Sequence, residues 1–152
     1  MRYALRSATE DDYEYCYAVT KENMHALFSR HWGGWVDAEF QRGFDPKRIR
    51  IVLVGDEPAG FISVESRGDS VYIENVQLSP RIQGRGVGAD ILLRVARENG
   101  SLPLRLSTFV DNPAKRLYER LGFVVLAQES GTMLMERRPN QTMQADDPSG
   151  RR

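Results

Sequence analysis

The stretch SPRIQGRGVGADILLRVA, residues 79–96, places Gly84, Gly86 and Gly88 within five positions, directly ahead of Ile91, Leu92, Val95 and Ala96 at helical spacing. Glycines lose more conformational freedom on folding than any other residue, so three at the mouth of a helix need a physical reason. The first turn of a helix leaves backbone N–H groups unpaired, and glycine lets that backbone approach a ligand closely. An anion, most often a phosphate, suits both properties. A glycine-rich turn that holds no ligand is the plain alternative.

The rest of the chain narrows the choice. Its 152 residues fit one domain, with 41% hydrophobic and 28% charged residues, as in ordinary water-soluble domains. Lys plus Arg and Asp plus Glu number 21 each, so no overall basic field favours a nucleic-acid partner. The single cysteine, Cys16, excludes an internal disulfide and fits a reducing compartment. No apolar run approaches the roughly 18 residues that a bilayer span needs, and MRYALRSATEDD lacks a signal-peptide core, so a cytoplasmic protein without a membrane partner is expected. Two histidines and one cysteine, with no ligand-spaced cluster, give no support for a metal.

Periodicity sets the order of elements. RYALRSA alternates as a first strand, and residues 8–31 follow as a helix that Thr9 and Asp12 start in the manner of a capping box. HWGGW breaks that helix, and VDAEFQRGF reads as a short second one. Residues 48–80 read as three meandering strands divided at Gly55–Pro58 and Arg67–Ser70. After the glycine loop and its helix come the strand LPLRLSTFV, a helix in DNPAKRLYERLGF and a hairpin around Ser130 and Gly131. In that last helix Asn112 is placed to cap, Pro113 to open and Gly122 to follow the end. The order is that of an α+β domain over residues 1–138, and the polar residues 139–152 read as a disordered tail.

Two phosphate-binding motifs fail. A P-loop needs Lys-Ser or Lys-Thr after its glycines, and none follows here. Gly84, Gly86 and Ala89 match a dinucleotide fingerprint literally, but a meander precedes them where repeated βαβ units are required. The full phrase VQLSPRIQGRGVGADIL instead resembles the acyl-CoA-binding signature of the GNAT superfamily of N-acyltransferases. That signature is Arg or Gln, two free positions, Gly, one free position, then Gly or Ala; Gln83, Gly86 and Gly88 fill it. NPAKRLYERLGF resembles the superfamily's later motif, with Asn112, Tyr118, Gly122 and Phe123.

The resemblance implies a mixed, mostly antiparallel central sheet with a V-shaped splay and helices on both faces. It implies acetyl-CoA or coenzyme A as co-substrate, with the pantetheine arm pairing along the backbone of Val76, Gln77 and Leu78. The pyrophosphate would lie on the loop made by Gln83, Gly84, Arg85, Gly86, Val87 and Gly88, with Arg81 and Arg85 adding charge. Asn112 would touch the coenzyme as well as cap its helix; the seven-residue spacing common in the family would select Asp111 instead.

Acyl transfer needs a neutral amine and a proton for the departing thiolate. A lysine-like amine costs about 4.6 kcal/mol to neutralise at pH 7, and an α-amine near pKa 7.8 only about 1. Glu74, in YIENVQL, is the candidate base, or else a solvated strand carboxylate. Tyr118 is the candidate proton donor to the thiolate, or else a core aromatic. The resemblance assigns the acceptor pocket to ENMHALFSRHWGGWVDAEF, which offers Glu22, His25, His31, Trp32 and Trp35; His25 and Trp32 join Glu74 as candidates. Aromatic residues beside Gly-Gly also lock helix corners. The expected activity is N-acetyl transfer from acetyl-CoA to a primary amine, small-molecule, peptide or protein, by direct attack. A catalytically silent acyl-CoA-binding regulatory module and a nucleic-acid module are the other classes. A monomer and a homodimer both remain open.

Overall fold

The computed structural model describes residues 1–139, so the expected tail lies outside the described residues from position 140 onward. Seven strands and four helices are found among the described residues. The strands are β1 (Ala4–Ser7), β2 (Ile49–Val54), β3 (Glu57–Ser66), β4 (Val71–Leu78), β5 (Leu104–Phe109), β6 (Val124–Glu129) and β7 (Thr132–Arg137). The helices are α1 (Tyr13–Trp32), α2 (Asp37–Gly43), α3 (Val87–Glu98) and α4 (Lys115–Arg120). The sheet order is β1-β2-β3-β4-β5-β7-β6. Its β4–β5 pair is parallel, whereas β1–β2, β2–β3, β5–β7 and β6–β7 run antiparallel. This is the α+β arrangement expected from periodicity.

The chain groups into two compact units that divide β4 between them: Met1–Glu65 with Glu74–Gly88, and Ser66–Ile73 with the chain from Ala89. In the first, alternation along β2 and β3 turns Ile49, Ile51 and Phe61 toward Cys16 and Val19 of α1, all 4% exposed or less. Burying each such aliphatic or aromatic side chain contributes about 1.5–3 kcal/mol. The α1 start forms as expected, through one 3₁₀ turn. The Thr9 N–H donates to Asp12 Oδ2 at 2.8 Å, the reciprocal half of a capping box with Asp in the usual Glu place. Two charge-assisted bonds from Arg6, at 2.8 and 2.9 Å, hold the Asp12 carboxyl below its ordinary pKa. Gly33, with φ of 77°, closes the far end of α1.

In the second unit, Ile91, Leu92 and Val95 of α3 are buried, as are Leu104, Leu106, Phe109, Leu121, Phe123, Met133 and Met135. Glu136 is 2% exposed and is paired with Arg105 at 2.8 Å and Arg138 at 3.1 Å. Helix α4 starts later than Asn112-Pro113 predicts. The Ala114 N–H donates to Asn112 Oδ1 at 3.0 Å, so the asparagine closes a turn and regular helix begins at Lys115.

Candidate functional site

The end of β4 is held by side-chain amides. Asn23 of α1 donates from Nδ2 to Leu78 O at 2.9 Å and to Gln77 Oε1 at 3.1 Å. Gln83, the first residue of the glycine signature, donates to the same Leu78 carbonyl at 3.0 Å. Gln77 in turn donates to Asn75 Oδ1 at 2.8 Å. A carbonyl oxygen has two lone pairs, and at Leu78 both are filled. On the other edge, a Cβ on Gly60 would lie 2.5 Å from Gln77 O, so the two strands approach this closely only because residue 60 is glycine. The Ser79 N–H donates to Ala59 O at 2.8 Å. Residues 77 and 79 therefore turn their polar groups toward β3, and alternation turns those of Val76 and Leu78 to the opposite edge. With the Leu78 carbonyl filled, that edge offers the Val76 N–H and C=O and the Leu78 N–H.

The chain then enters a 3₁₀ turn, Pro80–Ile82, and the loop. Gly84 and Gly86 have φ of 74° and 83°, the left-handed region that side chains disfavour. A Cβ at either position would meet nothing within 4 Å, so the space over the loop is open. Residues 83–86 are exposed, whereas Val87 and Gly88 are buried at the α3 start. Arg85 is exposed, and Arg81 donates to Pro58 O at 3.3 Å. Open space, left-handed glycines and a helix start fit an anionic group.

Glu74 is held by partners that its sequence neighbourhood does not reveal. Ser63 Oγ donates to its Oε1 at 2.9 Å. Arg48 Nε lies 3.0 Å from the same oxygen but its N–H is not aimed at it, so this contact is an ion pair rather than a hydrogen bond. The guanidinium also reaches Glu65 at 3.2 Å. The Glu74 side chain is 26% exposed, and Oε2 is the oxygen without a partner among the described residues.

In the second unit, Tyr118 is 7% exposed and its ring packs on Phe123 at 5.9 Å. Burial alone pushes its phenol up to about 12. Its hydroxyl has no hydrogen-bond partner among the described residues. Asn112 is committed to its turn, and its Nδ2 donates to Thr108 Oγ1 at 3.0 Å.

The expected acceptor residues lie on α1 (His25, Trp32) and β4 (Glu74). His25 is exposed on α1. Trp32 is 54% exposed and its ring packs tilted against Phe28, with centroids 4.9 Å apart. Trp35 packs on Phe28 and Tyr17, and both Trp35 Nε1 and Tyr17 OH donate to Asp37 Oδ1, at 2.6 and 2.8 Å. These rings lock the α1–α2 corner. Glu74 takes its contacts from Ser63 and Arg48, not from His25 or Trp32. Sequence reasoning missed Asn23, Ser63, Arg48 and Gly60. A glycine inside a strand pattern and a polar Asn23 on the buried stripe of Cys16, Val19, Thr20 and Leu27 were the available signals.

The mixed sheet and the glycine loop at a helix start together define an acetyltransferase-type domain. Residues 45–125, more than half of the chain, match the acetyltransferase (GNAT) domain family, and the protein belongs to that family. Solved structures share the fold. The PaiA N-acetyltransferase of Thermoplasma acidophilum, solved with coenzyme A, is 16% identical with a TM-score of 0.71 over 91% of this chain and 99% of its own. The ribosomal-protein-S18-alanine N-acetyltransferase of Escherichia coli is 20% identical with a TM-score of 0.70, over 93% of this chain and 96% of its own. Ard1 of Thermoplasma volcanium is 22% identical with a TM-score of 0.68, over 93% and 100%.

Proposed function

We propose that the protein is an N-acetyltransferase that moves the acetyl group of acetyl-CoA to a primary amine by direct attack. The observation that carries this reading is the left-handed Gly84 and Gly86 loop, with open space over both glycines where β4 leads into α3. Acetyl-CoA, when bound, supplies an activated carbonyl and a thiolate leaving group. The Val76 N–H and C=O and the Leu78 N–H bind the amides of the pantetheine arm as an added strand. Backbone N–H groups at residues 85–88 hold the pyrophosphate, with Arg85 beside them. Glu74 Oε2 takes the proton that the acceptor amine sheds, directly or through water.

The Tyr118 hydroxyl is a protonated donor throughout the neutral range. A phenol near 12 holds its proton roughly 10³-fold more tightly than a thiol near 8.5. Its role is therefore to donate a hydrogen bond to the thiolate rather than to surrender the proton. No cysteine intermediate fits: Cys16 is fully buried, and burial pushes its thiol up to about 12.

Isothermal titration with acetyl-CoA and coenzyme A tests the reading, wild type beside Gly86→Glu. Micromolar binding that the glutamate abolishes, followed by amine-dependent thiol release, is the expected result. Binding without turnover against any amine would make the protein a silent acyl-CoA module. No binding by folded wild type would return the loop to a plain turn.

A further inference from the structure

We propose that Asn23 is a positioning residue that sets the coenzyme strand from the α1 side, an inference that rests on the acetyl-CoA reading above. Its Nδ2 is the junction of a one-way chain of amides. Gln83 Nε2 lies 3.5 Å from Asn23 Oδ1, Asn23 donates to Gln77, and Gln77 donates to Asn75. The same Nδ2 shares the Leu78 carbonyl with Gln83. One helix side chain thus ties together the strand end, the signature glutamine and the middle of β4.

The need for such a tie follows from the backbone. Gly60 lets Gln77 O close onto β3, which draws one edge of β4 inward. Without a donor on the opposite edge, the Leu78 carbonyl would be free to turn. Its own N–H belongs to the same edge that receives the pantetheine arm. Asn23 and Gln83 fix the carbonyl and so fix that edge before the coenzyme arrives, which lowers the ordering cost of binding. Asn23 is only partly exposed, and its two bonds span more than fifty residues of sequence.

Asn23→Asp tests this with little change of shape. It replaces the donor by a carboxylate oxygen facing two acceptors, Leu78 O and Gln77 Oε1. Titration at a temperature well below melting is expected to show acetyl-CoA bound about tenfold more weakly. In turnover, KM for acetyl-CoA should rise while KM for the acceptor amine stays unchanged. A residue that merely packs would lower the melting temperature and leave the acetyl-CoA affinity alone. Gln77→Met, which keeps the Leu78 bond and breaks only the relay, is the second variant should Asn23→Asp fold poorly; about threefold weakening is expected.

Unchanged affinity in the folded variant overturns the proposal. Tighter binding overturns it too, because the amide would then be a competitor of the coenzyme. If wild type itself does not bind acetyl-CoA, the proposed function falls and this inference with it. Wild-type binding matched by Asn23→Asp sinks the inference alone.

Discussion

The β4 segment around Glu74 and the α4 segment around Tyr118 hold their candidate proton-handling groups by opposite means. Glu74 is a charged group fixed by partners, a serine hydroxyl and an arginine on one oxygen. Tyr118 is a neutral group fixed by packing, with its ring buried and its hydroxyl unpartnered among the described residues. A base needs one oxygen open to the proton it takes, and Ser63 and Arg48 both contact Oε1 and leave Oε2 open. A hydrogen-bond donor must stay protonated and have no competing acceptor, which burial arranges. Chemistry asks for contrary environments, and the chain builds each from different elements.

Removing the charge from the first region should have the largest effect. Glu74→Gln keeps the shape and loses the base, so kcat/KM for a lysine-like amine should fall by about 10²-fold or more. For an α-amine, which needs less help to become neutral, the loss should be roughly tenfold. Equal losses for both acceptors would mean that Glu74 positions the amine rather than deprotonating it. Steady-state kinetics with the two amine classes distinguish these outcomes.

Tyr118→Phe comes next. Losing a hydrogen bond to a developing thiolate costs about 1.5–3 kcal/mol, or roughly 10- to 100-fold in kcat. Because burial raises the phenol from 10.0 to about 12, the folded state holds this proton more tightly than the unfolded state. The associated stability is complete below pH 10 and is lost as pH rises toward about 12. Alkaline melts should therefore fall less steeply for Tyr118→Phe than for wild type. The wild-type rate should show no alkaline loss from this group near pH 9.

The contrast between the two regions also marks what the sequence could tell. Strands were legible because the apolar, β-branched runs IRIVLV and VYIENVQL are bounded by turn signals at Gly55–Pro58 and Arg67–Ser70, and the loop was legible as three glycines directly ahead of a helical apolar pattern. The start of α4 was misread because Asn112-Pro113 suits a turn as well as a cap. Glu74 was identifiable as a residue but its environment was not. Ser63 lies 11 residues away and Arg48 belongs to the segment before β2, so strand pairing creates those contacts. Tyr118 was legible from its motif, yet its missing partner is a property of packing that no local pattern encodes.

Ser63→Ala probes that hidden environment with the smallest expected effect. The hydroxyl gives Glu74 Oε1 one hydrogen bond at 2.9 Å, and the Arg48 ion pair remains when it is removed. A hydrogen bond to a charged group in a partly exposed setting is worth about 1 kcal/mol, so kcat for a lysine-like amine should drop by roughly fivefold. Acetyl-CoA affinity should not change, because Ser63 touches neither the loop nor the residues that fix Leu78. A comparable drop in the Glu74→Gln background would show that Ser63 acts on something other than the carboxylate, because the two losses should not add when one residue works through the other. The double-mutant cycle thus decides whether Ser63 acts through the Glu74 carboxylate.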